Sequence, residues 1–218
     1  MRGTLRLMFA LFPSRTVAFT LFNFDVHWYG ILYFVAFWIA WKMLPKIQSL
    51  RDLKLWKEDW EAILAAAVLG VIVGGRLGYV IMYAPSYYWH HPLEIFAVWN
   101  GGMASHGGFI GVAIAILWVC RWRKTDELLR IADIAVIPAA IGLGIGRIGN
   151  FINQELYGTV TTLPWGMHFD GAIGLRHPIQ IYDFIIQMYI ALICYLYLKK
   201  VEPVHPGKTL GLFLILYG

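Results

Sequence analysis

Charge is scarce in this 218-residue chain: Asp, Glu, Lys and Arg make up 14%, while hydrophobic residues make up 59%. Soluble domains carry about 25% charged residues, so a water-facing surface could hardly be covered and an ordinary soluble protein is excluded. Cysteine is nearly absent. Cys120 and Cys194 each lie inside an apolar run, which gives neither a disulfide framework nor metal-ligand spacing; both read as packing residues. No signal peptide is read at the start, because Arg2 and Arg6 are followed only by Leu7–Phe12 before Pro13-Ser14-Arg15 breaks the run. Repeats and low-complexity tracts are lacking as well.

Long apolar stretches and aromatics are what the chain has instead. Ten Trp, twelve Tyr and thirteen Phe, with a mean hydropathy of +0.62, suit the aromatic belts of a bilayer protein. Val26–Trp41, Ala62–Tyr83, Ala104–Cys120, Ile131–Phe151 and Pro178–Leu198 are apolar. With a few interfacial residues each reaches the roughly 17–25 residues that a spanning helix needs. Thr209–Gly218 is apolar but stops short of that. The expectation is an all-α integral membrane protein, a polytopic helical bundle of five complete transmembrane helices and a sixth cut short. Residues 1–218 read as one membrane domain, expected to continue in a longer protein, with a polar outer excursion at 152–177.

Basic residues orient the bundle. Lys42, Lys46, Arg51, Lys54 and Lys57 follow the first span, Arg121, Arg123, Lys124 and Arg130 the third, and Lys199, Lys200 and Lys208 the fifth. These twelve face Arg2, Arg6, Arg15 and Arg176 on the opposite side. The positive-inside rule then puts the N-terminus outside and the first loop in the cytoplasm, although the three N-terminal arginines run against it. The net charge of +5 is accordingly read as facing lipid headgroups, not nucleic acid.

An ionisable group at membrane depth costs upward of about 2.5 kcal/mol, so each such group is a candidate for function. Arg76, His106, Asp133, Arg147, Glu155 and Asp183 qualify. The densest cluster is Gly144-Ile-Gly-Arg-Ile-Gly-Asn-Phe-Ile-Asn-Gln-Glu-Leu-Tyr-Gly158. Continued as a helix, it puts Arg147 and Asn150, and Asn150 and Gln154, on one face. A guanidinium recognises phosphate bidentately, which suits a phospholipid headgroup. The glycines are equally explained by a close helix contact. In Gly101-Gly-Met-Ala-Ser-His-Gly-Gly108, His106 is either a hydrogen-bonding interfacial residue or a proton acceptor; Gly107 and Gly108 would let a substrate approach the backbone. Arg76, in Gly74-Gly-Arg-Leu-Gly-Tyr79, is a second anion contact or the partner of an acid such as Asp133 or Glu155. Pro178 opens the fifth span, where Gln180, Tyr182 and Asp183 line the same outer cavity or cap the helix. Trp28 and Tyr29 are interfacial anchors by default.

At these residues the sequence resembles the prolipoprotein diacylglyceryl transferase family. The matching stretches are His27-Trp-Tyr-Gly30, Gly74-Gly-Arg-Leu-Gly-Tyr79, Gly101-Gly-Met-Ala-Ser-His-Gly-Gly108, Gly146–Gly158, Arg176-His-Pro-Ile-Gln180 and Gly211-Leu-Phe-Leu-Ile-Leu-Tyr-Gly218. The resemblance implies a seven-helix enzyme of the bacterial inner membrane that needs no cofactor or metal. It takes the diacylglyceryl group of phosphatidylglycerol to the lipobox cysteine of a prolipoprotein signal peptide. Carried over by position, Tyr29, His106, Arg147, Asn150, Glu155 and Gly158 are the expected essential residues. Gly107, Gly108, Arg76, Tyr217, His177 and Gln180 join Arg147, Asn150 and Gly158 as expected substrate contacts. His106 would take the thiol proton, Arg147 with Asn150 would hold the departing phosphate, and Glu155 would orient Arg147 or a polar network.

The departures are Asn100, Ser105, Asp183, a short outer excursion, and the family's arginine four residues past Tyr217, which this chain does not reach. The competing reading is a polytopic transporter or channel for an anionic solute lined by Arg76 and Arg147, which inverted repeats or paired broken helices would support. A membrane scaffold would explain the glycines alone. Metal-dependent phosphatidyl transfer wants closely spaced aspartates, and an intramembrane serine protease wants a Ser–His pair on facing helices; neither pattern is present.

Overall fold

The computed structural model describes residues 16–22, 24–123, 125–200 and 205–218; Arg2, Arg6, Arg15 and Lys124 of the charge argument lie outside them. The described chain opens with an antiparallel hairpin of β1 (Val17–Leu21) and β2 (Phe24–His27). Its β-branched and aromatic residues favour extended backbone, and Thr20 Oγ1 donates across the turn to Asp25 Oδ1 at 2.6 Å. The hydropathy reading misses this element, because four- and five-residue strands leave no mark in a membrane-length window.

Seven helices follow among the described residues: α1 (Trp28–Ile47), α2 (Lys57–Met82), α3 (Pro85–His90), α4 (Ser105–Trp122), α5 (Leu128–Asn153), α6 (Ile179–Lys200) and α7 (Lys208–Tyr217). Five of them, α1 with the turn that follows it, α2, α4, α5 and α6, are long and apolar enough to cross a membrane, and α7 is a shorter apolar helix. The protein is therefore an all-α polytopic membrane bundle of five spanning helices and a sixth, shorter one, as the apolar stretches predict. Polar ends account for helix lengths beyond those stretches. Glu58 and Asp59 occupy the first turn of α2, where Asp59 Oδ2 accepts the Trp56 amide at 3.0 Å, and Lys199 and Lys200 close α6, each charge matched to its end of the helix dipole.

The chain forms two compact units, Met1–Met43 with Asp133–Gly218, and Leu44–Ala132. In the second unit α2 and α4 meet through glycine. A Cβ on Gly74 would lie 2.3 Å from the Gly107 carbonyl oxygen, and one on Gly111 2.1 Å from that of Gly70, so only hydrogen fits. The apolar side chains Leu69, Ile72, Val73, Leu77 and Ile81 of α2 are exposed at helical spacing, an outward stripe that suits lipid. In the first unit α6 shows the same inverted polarity. It buries Gln180 and Gln187 and exposes Ile185, Ile186, Tyr189 and Leu192.

Asp133, fully buried on α5, answers for its charge locally. Its carboxylate accepts the Gly207 amide at 2.8 Å and the Leu210 amide at 2.9 Å, capping the start of α7. Asp133→Ala is expected to cost about 0.5–2 kcal/mol, as lost caps do, and to raise hydrogen exchange at the Gly207 and Leu210 amides. Unchanged exchange there would refute the cap.

Candidate functional site

The polar groups of the first unit gather where α1 begins and α5 ends. Arg147 and Asn150, three residues apart on α5, share a face. Asn150 Nδ2 donates to Glu155 Oε1 at 3.0 Å and to the Tyr29 hydroxyl, and that hydroxyl donates in turn to Glu155 Oε1. The three side chains close a triangle. Gly149 permits it: a Cβ there would stand 2.9 Å from Cε1 of the Tyr29 ring, so a larger residue would push the phenol off α5. Gln180, 1% exposed, donates from Nε2 to the Glu155 carbonyl at 2.7 Å. Arg147 is paired elsewhere, through Nε to Asp183 Oδ2 on α6 at 3.1 Å. Glu155 thus sits in a tyrosine–amide network, and Asp183 orients the guanidinium.

The reading that puts Asn150 and Gln154 on one helical face is corrected. α5 ends at Asn153, and Gln154 takes the left-handed conformation, φ +58°. The Gln154 amide donates to the Phe151 carbonyl at 3.1 Å and the Glu155 amide to that of Asn150 at 3.0 Å, the paired bonds of a Schellman terminus. A face shared at i and i+4 needs the helix to continue, and here it has stopped.

Beyond that terminus the excursion folds back on itself. Gly158 donates its amide to the His177 carbonyl at 2.9 Å, and a Cβ on Gly158 would lie 2.7 Å from Ile179 Cγ2 and 2.8 Å from His177 Cβ. Its lack of a side chain serves the approach of the two segments. His177 Nδ1 lies 3.2 Å from the Tyr182 hydroxyl, which also accepts Trp165 Nε1 at 2.8 Å. Tyr217 stacks on Phe213 of α7 with ring centroids 5.6 Å apart.

Arg76, His106, Gly107 and Gly108 belong to the second unit. Arg76 is buried, and the structure gives it a role beside the two expected. Its guanidinium donates to four backbone carbonyls between α3 and α4: Ile95 at 2.9 Å and Glu94 at 2.6 Å in a short 3-10 turn, and Gly101 at 2.5 Å and Gly102 at 3.3 Å in the loop after it. Tyr88 covers it, 5.1 Å from ring centre to guanidinium carbon. The loop can wrap so tightly because Gly101 and Gly102 take φ +80° and +74°, and a Cβ on Gly102 would meet Arg76 Nη1 at 2.8 Å. His106 is exposed as the second residue of α4, with Gly107 and Gly108 buried beside it.

A family model described as "Prolipoprotein diacylglyceryl transferase" matches residues 16–218. The chain belongs to that family. Its relatives include proteins named phosphatidylglycerol–prolipoprotein diacylglyceryl transferase. The protein of Geobacter sulfurreducens is 44% identical over 78% of this chain and 66% of its own length. That of Oleidesulfovibrio alaskensis is 42% identical over 93% and 75%, and that of Nitrosomonas europaea 43% over 93% and 73%. This chain thus spans roughly two thirds to three quarters of the length of these relatives.

As a member of the diacylglyceryl transferase family, the chain places Tyr29, Asn150 and Glu155 in one network with Gln180 behind it. Sequence reasoning missed the function of Gln154, whose buried Oε1 accepts the Asp170 amide at 2.7 Å, and the fixed pairing of Arg147 with Asp183. A signal for the first was available: a helix that must stop before a polar loop has no glycine after Asn153, so another residue has to take the left-handed turn.

Proposed function

We propose that this protein transfers the diacylglyceryl group of phosphatidylglycerol to the lipobox cysteine thiol of prolipoproteins. Sulphur attacks the glyceryl carbon bearing the phosphate, a C–S bond forms, that carbon's C–O bond breaks, and glycerol phosphate leaves. The thiol must first lose its proton, since the thiolate is the nucleophile; His106 takes it, directly or through water. Negative charge grows on the leaving phosphate, where Arg147 and the neighbouring Asn150 amide would contribute most. Asp183 engages Arg147 through Nε, which leaves the two terminal nitrogens for a phosphate. The Tyr29–Asn150–Glu155 triangle shapes this corner of the site, and Gly158, His177 and Gln180 hold the excursion against it. Gly107 and Gly108 flank the base, Arg76 fixes the outer loop, and Tyr217 stands on α7.

Family membership carries this reading, and the Tyr29–Asn150–Glu155 network at the end of α5, a cluster of polar side chains in a largely apolar chain, supports it. The protein works in the bacterial plasma membrane with its N-terminus outside and its site toward the outer leaflet, a placement supported by the twelve-to-four division of Lys and Arg. Its partners are phosphatidylglycerol and a signal peptide. The anion-channel alternative gains nothing from Arg76, whose guanidinium already donates to four carbonyls.

Phosphatidylglycerol labelled in its acyl chains should pass label to a lipobox peptide, while label in the headgroup glycerol should not transfer. Failure of acyl label to move would overturn the proposal. In the same assay His106→Gln is expected to lower turnover about 10²–10⁴-fold, the usual contribution of a general base. Turnover near that of the unaltered protein would remove His106 from that role.

A further inference from the structure

Glu155 stands between two residues of left-handed backbone, Gln154 at φ +58° and Leu156 at φ +53°. Such values are uncommon outside glycine, and at the helix terminus glycine is the usual occupant of the position that Gln154 fills. A glutamine there is explicable if its side chain is used. It is: Gln154 is 7% exposed, and its Oε1 accepts the Asp170 amide at 2.7 Å. Asp170 is the second residue of a turn whose Gly171 has φ +73° and in which the Ala172 amide donates to the Phe169 carbonyl at 3.1 Å. Phe169, 3% exposed, packs on Tyr157 with ring centroids 5.1 Å apart and edge-on to Phe151. One side chain therefore ties the far turn of the excursion to the last turn of α5, within one peptide of Glu155. From the other side Gln180 grips the Glu155 carbonyl at 2.7 Å.

We infer that Gln154 is a positioning residue: by binding the Asp170 amide it fixes the peptide that aims the Glu155 carboxylate at Tyr29 and Asn150. The inference deepens the proposed transfer reaction, on which its kinetic consequence rests; its geometric content stands without it. The backbone conformation and the side-chain bond make separable contributions, because glycine supplies the first and not the second.

The test uses the full chain with 3-fluorotyrosine at position 29, read by ¹⁹F resonance in detergent. Glu155→Gln, which alters the acceptor of the Tyr29 hydroxyl, marks the direction in which the resonance moves when that bond changes. Gln154→Gly keeps the left-handed turn, which glycine adopts without strain, so it isolates the lost Asp170 bond. Its resonance should move in the direction that Glu155→Gln sets, and its kcat should fall about tenfold or more, as slight misplacement of reacting groups allows, with KM for phosphatidylglycerol unchanged. A resonance unmoved in Gln154→Gly while Glu155→Gln shifts it would overturn the inference. If the resonance moves but the unaltered protein transfers no lipid, the reaction assignment fails and the positioning role survives.

Discussion

Arg147→Lys should lose roughly 10²–10³-fold in turnover, the scale on which one charge-stabilising donor contributes to a transition state, with the fold intact. The pairing of Arg147 Nε with Asp183 Oδ2 at 3.1 Å makes lysine the informative replacement. A lysine ammonium can still pair with Asp183, so a merely structural ion pair would survive. What lysine lacks is the planar fork that holds an anion bidentately while one nitrogen remains with the carboxylate. Lipid-transfer kinetics at several phosphatidylglycerol concentrations check the claim, because a group that acts on the departing phosphate lowers kcat more than it raises KM. A lysine variant with turnover near that of the unaltered protein would leave Arg147 with no part in phosphate departure.

The second large effect concerns two neighbouring glycines. Gly107→Ala should destabilise the protein by about 1–3 kcal/mol, the range for overpacking, whereas Gly108→Ala should leave stability unchanged or slightly improved. A Cβ on Gly107 would lie 2.2 Å from the Gly74 carbonyl oxygen and 2.8 Å from the Gly78 Cα. Both obstacles are backbone, so no rotamer change relieves them and α2 must move off α4. A Cβ on Gly108 meets nothing closer than the Val71 carbonyl oxygen at 3.8 Å, and alanine is favoured over glycine in a helix. Thermal unfolding of the two variants in one detergent checks the contrast. The pair also separates packing from chemistry beside His106: a fall in turnover in a fully stable Gly108→Ala protein would mean that substrate comes up against that backbone.

Legibility from sequence differs with the kind of residue. Arg147 and Asn150 are recognisable as a pair because the helix fixes their spacing locally. Asp133 draws attention as a buried acid, but its use as a cap for α7 depends on Gly207 and Leu210, more than 70 positions away. Arg76 is only partly legible for a related reason. A lone arginine in an apolar run suggests an anion, yet backbone carbonyls of a glycine-rich loop satisfy a guanidinium equally well, and they have no signature in composition. Gly107 and Gly108 look alike in the sequence and differ in the structure by whether another backbone lies opposite.

The sequence by itself determined that the chain lives in a membrane, how many helices can cross it, and which family it joins. These follow from hydropathy summed over neighbouring residues and from contiguous motifs, both properties of short stretches of chain. Only the tertiary structure decided that Tyr29 meets Glu155, 126 positions away, that Asp183 takes Arg147, and that α5 stops at Asn153 so that Gln154 turns toward Asp170. Those outcomes depend on which backbones come within bonding distance once the apolar faces have packed, and no local pattern of residues carries that distance.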